Sequence, residues 1–259
     1  MTLRFIHGGD AARLHGTPSL ASVASAEELG DLVRAAAHES EAGRWILLGG
    51  FDPARLDVRA EALSRALDEA APGHPVCLWS ADHRIARVNA AAVRFGKLPG
   101  VVLEFPATDA VRRILPRWTM EVWKDRLGLL AADLAAEGVT HLIDLDETAG
   151  EGWRALDDEG LLVLEEVGVV CAAKSLRRQI REGERTGKGR GRTIFSGVVF
   201  DFDRDPWSVE RTTEELRLAR DAGIRIYAQV SDSAARAKAE SALLSAGPFD
   251  PDLPPVFVR

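Results

Sequence analysis

Eight short apolar runs recur along the chain, and helical patterns fill the intervals between them. The runs are Leu3–Ile6, Arg44–Gly49, Pro75–Ser80, Val139–Leu145, Gly168–Ala173, Ile194–Phe202, Ile224–Val230 and Pro255–Arg259. Most are continuous rather than alternating, which suits strands buried on both faces of a sheet. The helices have readable ends. Ser25-Ala-Glu-Glu28 and Thr212-Thr-Glu-Glu215 have the capping-box pattern, in which a hydroxyl and a carboxylate reciprocally satisfy free amides. Met120, Trp123, Leu127, Leu130 and Leu134 step by three and four, and Gly138 stops that helix. Asp232 caps a last helix that Gly247 closes. Strand–helix alternation of this kind predicts a parallel sheet in an α/β fold, and eight runs at this length point toward a (β/α)₈ barrel.

Composition narrows the function classes. The 259 residues are 46% hydrophobic and 28% charged, as in ordinary soluble domains. Two cysteines, Cys77 and Cys171, make no disulfide framework and sit on strand-like runs as small core residues. No apolar run approaches the ~20 residues of a membrane span, and Met1–Asp10 lacks the basic-then-apolar pattern of a secretory leader. A cytoplasmic protein with no membrane contact is expected. The net charge is −7, and the one basic stretch, Arg177 to Arg192, holds no aromatic residue on which a base could stack. No nucleic-acid partner is expected.

Phosphate-loop, dinucleotide-fingerprint, Gly-x-Ser-x-Gly and His-Glu-x-x-His motifs are all missing. The informative polar residues stand at the carboxyl ends of the strand-like runs, where barrel enzymes build their sites. They are His7, Asp82 and His83, Asp144 and Asp146, Lys174, Asp201 and Asp203, and Gln229 with Ser231. The carboxylates suit acid–base work or a hard cation, and equally suit helix caps and arginine partners. Asp144, Asp201, Asp203 and Lys174 are the candidate catalytic groups.

Several stretches together resemble the amidohydrolase superfamily, in the branch of N-substituted formamide deformylase and many predicted metal-dependent hydrolases. They are Trp45-Ile-Leu-Leu-Gly-Gly-Phe-Asp52-Pro53, Leu67 to Val76, Asp82 to Ala92, Gly138-Val-Thr-His-Leu-Ile-Asp144, Gly183 to Phe202 and Ile224 to Asp232. They keep one order over nearly the whole chain. The resemblance implies a single TIM-barrel-like domain over 1–259, incomplete or modified, with an αβ segment (25–118) inserted after the first strand. Runs 44–49 and 75–80 then belong to the insertion. Six barrel-type strands remain: 3–6, 139–145, 168–173, 194–202, 224–231 and 255–259. Six strands leave edges, and exposed edges invite pairing, so either the inserted strands close the barrel or a homodimer covers the gap.

The family uses metal-activated water. Its first-strand His-x-His falls at Phe5-Ile6-His7, its lysine at Val199, its later-strand histidine at Gln229 and the histidine of its Asp-Gly-His segment at Arg84. A catalytic zinc generally needs about three protein ligands and an open position, and this pattern keeps one, His7. The resemblance therefore implies a truncated, degenerate relative with no metal cofactor, unless a rebuilt ligand set holds zinc or another divalent ion. The expected role is non-catalytic binding of a small molecule or partner, with His7, Asp82, His83, Arg84 and Gln229 lining the site. The alternatives are an enzyme with rebuilt acid–base chemistry and a hydrolase of C–N bonds with non-standard metal ligands.

Overall fold

The computed structural model describes residues 2–55, 60–81, 83–104, 107–203 and 207–258. In chain order the elements are β1 (Leu3–Ile6), α1 (Gly8–Leu14), α2 (Ala26–Glu39), β2 (Ile46–Phe51), α3 (Ala60–Ala70), β3 (Val76–Ser80), β4 (Ile85–Val88), α4 (Ala90–Gly96), β5 (Val102–Glu104), α5 (Thr108–Ile114), α6 (Met120–Ala136), β6 (His141–Asp144), α7 (Gly150–Asp158), β7 (Glu166–Ala172), α8 (Leu176–Arg181), β8 (Lys188–Arg190), β9 (Thr193–Asp201), α9 (Val209–Asp221), β10 (Ile226–Gln229), α10 (Ser233–Ala246) and β11 (Val256–Val258). Short 3₁₀ turns, Glu147–Ala149 and Ala173–Ser175, precede α7 and α8. The chain divides into two compact units. One comprises Met1–Arg13 with Trp118–Arg259, the other Leu14–Arg117. Among the described residues no helix is long and apolar enough to cross a membrane.

The first unit holds the sheet β1-β6-β7-β9-β10-β11, with these six strands parallel and β8 added antiparallel to β9. Alternation along the strands sorts their side chains into two layers. Ile143, Leu145, Val170, Val199, Tyr227 and Val258 pack together on the inner face. On the outer face, Leu142, Val167 and Val169 meet Trp123 and Leu127 of α6 and Trp153 and Leu156 of α7. Val198, Phe200, Ile226 and Ala228 meet Leu216 and Ala219 of α9 and Ala235, Ala239 and Ala242 of α10.

The sheet curls. Phe5 on β1 and Tyr227 on β10 lie edge to face with ring centroids 6.2 Å apart. Four strand steps separate them, which on a flat sheet would place them ~19 Å apart. The result is a nearly closed, TIM-barrel-like arrangement of parallel strands. β1 and β11 are its two edges, and Leu3 and Phe5 on β1 stay 44% and 39% exposed.

The second unit is a four-stranded sheet, β2-β3-β4-β5, with β2 parallel to β3 and the others antiparallel. Leu29 and Val33 of α2 and Leu63 and Leu67 of α3 cover one face. Ala92 of α4 and Val111 of α5 pack with the other. Runs 44–49 and 75–80 thus pair within this sheet, with two strands, β4 and β5, that the apolar runs do not announce.

Most helix ends follow the expected caps. Ser25 Oγ accepts from the Glu28 amide (3.2 Å), and Glu28 Oε2 accepts from the Ala24 amide (3.2 Å). Asp232 Oδ1 accepts from the Ala235 amide (2.8 Å). The helix expected at the Thr212 box instead begins at Val209, where Ser208 Oγ accepts from the Arg211 amide (3.3 Å). Glu215 is not free to cap because it turns inward and its Oε1 accepts from Arg177 Nε (2.8 Å).

The curl makes Phe5 and Tyr227 energetically coupled. A double-mutant cycle with Phe5→Leu and Tyr227→Leu, read by urea denaturation, is expected to give a coupling of about 0.5–1 kcal/mol. Strictly additive effects would contradict the contact across the barrel.

Candidate functional site

Strand alternation places six side chains on the inner face at the carboxyl ends of the parallel strands: His7, Leu145, Ala172, Asp201, Gln229 and Val258. Gln229 is in register with Asp201 on one side and Val258 on the other. Its amide N–H lies 3.4 Å from His7 Nε2, across the barrel, and donates to it. His7, Gln229 and Asp201 therefore gather at one mouth. Asp203, two residues on, accepts from Ser231 Oγ (2.7 Å), and its amide donates to Asp201 Oδ1 (3.1 Å). Lys174 lies exposed in the turn after β7.

Asp144 faces the other way. On β6, Ile143 and Leu145 point into the barrel, while Leu142 and Asp144 point to the helix layer. The Asp144 side chain is fully buried. Its Oδ1 accepts from the amides of Gly8 (2.8 Å) and Asp146 (2.9 Å), and its Oδ2 accepts from Trp153 Nε1 (2.7 Å). Asp146 accepts from the Gly9 amide (3.1 Å) on one oxygen and the Thr148 amide (2.9 Å) on the other. A Cβ at Gly8 would overlap the Asp144 carboxylate, and one at Gly9 the Asp146 carboxylate. The glycine pair lets the start of α1 sit directly on the two acids. Burial first, and the charge of Asp146 second, push the Asp144 carboxyl up to about 7, against the pull of its three N–H donors.

The remaining candidates belong to the second unit. Asp82 lies outside the described residues. His83 takes a left-handed conformation (φ 56°), which is uncommon for a non-glycine residue. Its ring lies over Trp79, with centroids 6.1 Å apart and planes 20° from parallel. The Arg112 guanidinium lies 4.8 Å from the centroid of the same indole, and Arg84 follows in the turn before β4. His83 and Arg84 thus sit at the end of β3, in a different unit from His7 and Gln229. Two participants carried no signal in the sequence. One is Trp153, whose indole serves Asp144. The other is Tyr227, an inward residue one layer below Gln229 whose hydroxyl is hydrogen-bonded to Ser196 Oγ.

No protein-family model matches the sequence, and a search of curated proteins finds no match. The fold is similar to solved structures of two proteins. One is an uncharacterized metal-dependent hydrolase from Pyrococcus horikoshii OT3, with a TM-score of 0.73, 17% identity, and coverage of 96% of this chain and 56% of that one. The other is an uncharacterized metal-dependent hydrolase from Pyrococcus furiosus, with a TM-score of 0.67, 18% identity, and coverage of 93% and 57%. The chain spans little more than half the length of either. At this identity the likeness establishes the fold.

His7 and Asp201 are the metal-type donors on the inner layer of the mouth, beside Leu145, Ala172 and Val258. Among the described residues no three or more His, Cys, Asp or Glu side chains gather as a cation would require.

The Asp144 shift has a definite sign. The folded protein holds this proton up to about 7, whereas the ordinary value is 3.8. Its contribution to stability is therefore full below about pH 4 and is lost as pH rises through 7. Urea titrations are expected to show the wild type losing stability relative to Asp144→Asn between pH 4 and 7. Parallel curves for the two proteins would contradict the assignment.

Proposed function

We propose that this chain uses an amidohydrolase-like barrel to bind a small molecule at the strand-end mouth, without the metal-activated water of the family it resembles. The observation that carries this reading is the meeting of His7 and Gln229 across the barrel at 3.4 Å, with Asp201 in register beside Gln229. Together they offer an imidazole, a carboxamide and a carboxylate over a floor of Ile143, Val170, Val199 and Tyr227. A few convergent polar groups above an apolar floor is the usual composition of a small-molecule site. Val199 occupies the position that corresponds to the family lysine and belongs to that floor.

The same groups favour a second reading, a metal-independent acid–base reaction with His7 as the proton carrier. Its support is the imidazole at the mouth, whose Nε2 accepts from the Gln229 amide with Asp201 on the neighbouring strand. A ligand that is bound and chemically altered, with turnover lost in His7→Ala, selects this second reading. A ligand recovered unchanged selects the first.

The binding test is a thermal-shift screen of polar metabolites against the purified protein. At least one compound is expected to raise the Tm, as any ligand of the native state does. His7→Ala and Gln229→Leu are each expected to weaken that compound about tenfold or more, the loss of one buried hydrogen bond. Hits indifferent to both substitutions would contradict the assignment of the mouth as the site.

A further inference from the structure

We propose that Asp144 is a positioning residue for His7, holding the peptide that follows it from the helix layer and so setting the direction in which the imidazole enters the mouth. This rests on the reading of the mouth as a binding site and adds a residue that no ligand can touch. Asp144 is fully buried and points away from the barrel interior, so any effect it has on the mouth must travel through the backbone.

The backbone path is short. The Gly8 amide, the first N–H after His7, donates to Asp144 Oδ1, and the next, that of Gly9, donates to Asp146 Oδ2. On the other side of His7, the Ile6 carbonyl accepts from the Leu145 amide at 2.8 Å, and the His7 carbonyl accepts from Ala11 in the first turn of α1 at 2.9 Å. Every peptide group flanking the imidazole is thus held by the end of β6 or by α1. The two glycines are needed for that approach, since a Cβ at either would overlap the acid it serves. Trp153 Nε1 fixes the orientation of the Asp144 carboxylate by occupying Oδ2, which leaves Oδ1 to Gly8 and Asp146.

This division of donors gives a test that a merely structural tie would fail. In Asp144→Asn one side-chain oxygen faces three N–H donors, so at least one donor loses its acceptor. In Asp144→Asn with Trp153→Phe the indole donor is gone, and the single oxygen again serves Gly8 and Asp146. The experiment is ¹⁵N NMR of the ligand-free protein, reading the Gly8 amide, the His7 imidazole and the contact between His7 and Gln229. The imidazole signals are expected to move and the contact to be lost in Asp144→Asn, and both are expected to return in the double variant. In a folded Asp144→Asn protein, a Gly8 amide that moves while the imidazole signals and the contact stay, or signals not restored in the double variant, would overturn the proposal.

If the single variant does not fold, or keeps its Gly8 amide in place, a pH series on the wild type decides. Asp146 is the charged group that acts on Asp144, and Arg13 of α1 lies within the reach of both Asp146 and Asp10. As Asp144 titrates, the Trp153 indole, the Gly8 amide and the contact between His7 and Gln229 are expected to change together. A change at Gly8 and Trp153 that leaves the contact between His7 and Gln229 untouched overturns the proposal. None of these readings uses a ligand, so failure of the mouth to bind a small molecule would show in the thermal-shift screen and not here.

Discussion

The mouth of this barrel depends on how the carboxyl end of β1 is fastened to that of β6. Two acids on one side and two glycines on the other make the fastening, and neither half works alone. Gly8 and Gly9 admit the carboxylates because they have no Cβ to stand in the way. Asp144 and Asp146 accept the amides that α1 would otherwise leave without partners at its start. An unsatisfied buried amide costs about 1–3 kcal/mol, so the join gives β1 a defined exit although three of its four residues are exposed. That exit carries His7 toward Gln229.

From this join the rest of the inner layer follows by alternation. Once Phe5 and His7 face inward, Arg4 and Ile6 face out. The parallel register then places Ile143, Tyr227 and Gln229 around the same interior. The polar groups concentrate on β1, β9 and β10, whereas β6, β7 and β11 contribute Leu145, Ala172 and Val258. An asymmetric layer of this kind offers hydrogen bonds to one side of a ligand and apolar surface to the other.

Much of the barrel was legible in the sequence, because strands buried on both faces must be apolar throughout. The six barrel-type runs are the six parallel strands. The count of eight was misleading for a physical reason: the two additional runs form a different sheet, which includes β4 and β5. Ile85–Val88 alternates half-buried and buried residues around Arg87, and Val102–Glu104 is three residues long, so neither makes a continuous apolar run. At the mouth, His7, Asp201 and Gln229 were legible as polar residues closing apolar strands. The direction of Asp144 was not, since a residue at a strand end points inward or outward according to a parity that only the packed sheet reveals. Trp153 reads as a core residue of α7, and nothing in its spacing marks the indole N–H as a partner for a carboxylate nine residues earlier.

A mouth that works by hydrogen bonds leaves the chain nearly free of metal, and a metal centre does not, so metal content per chain separates the two. The protein would be purified without tag or chelator, incubated with excess zinc, desalted, and assayed for zinc, iron and manganese per chain. Far less than one ion per chain is expected, with the same residual content in His7→Ala. About one ion per chain, lost in His7→Ala, would contradict that expectation and make metal-assisted hydrolysis the leading reading of this site.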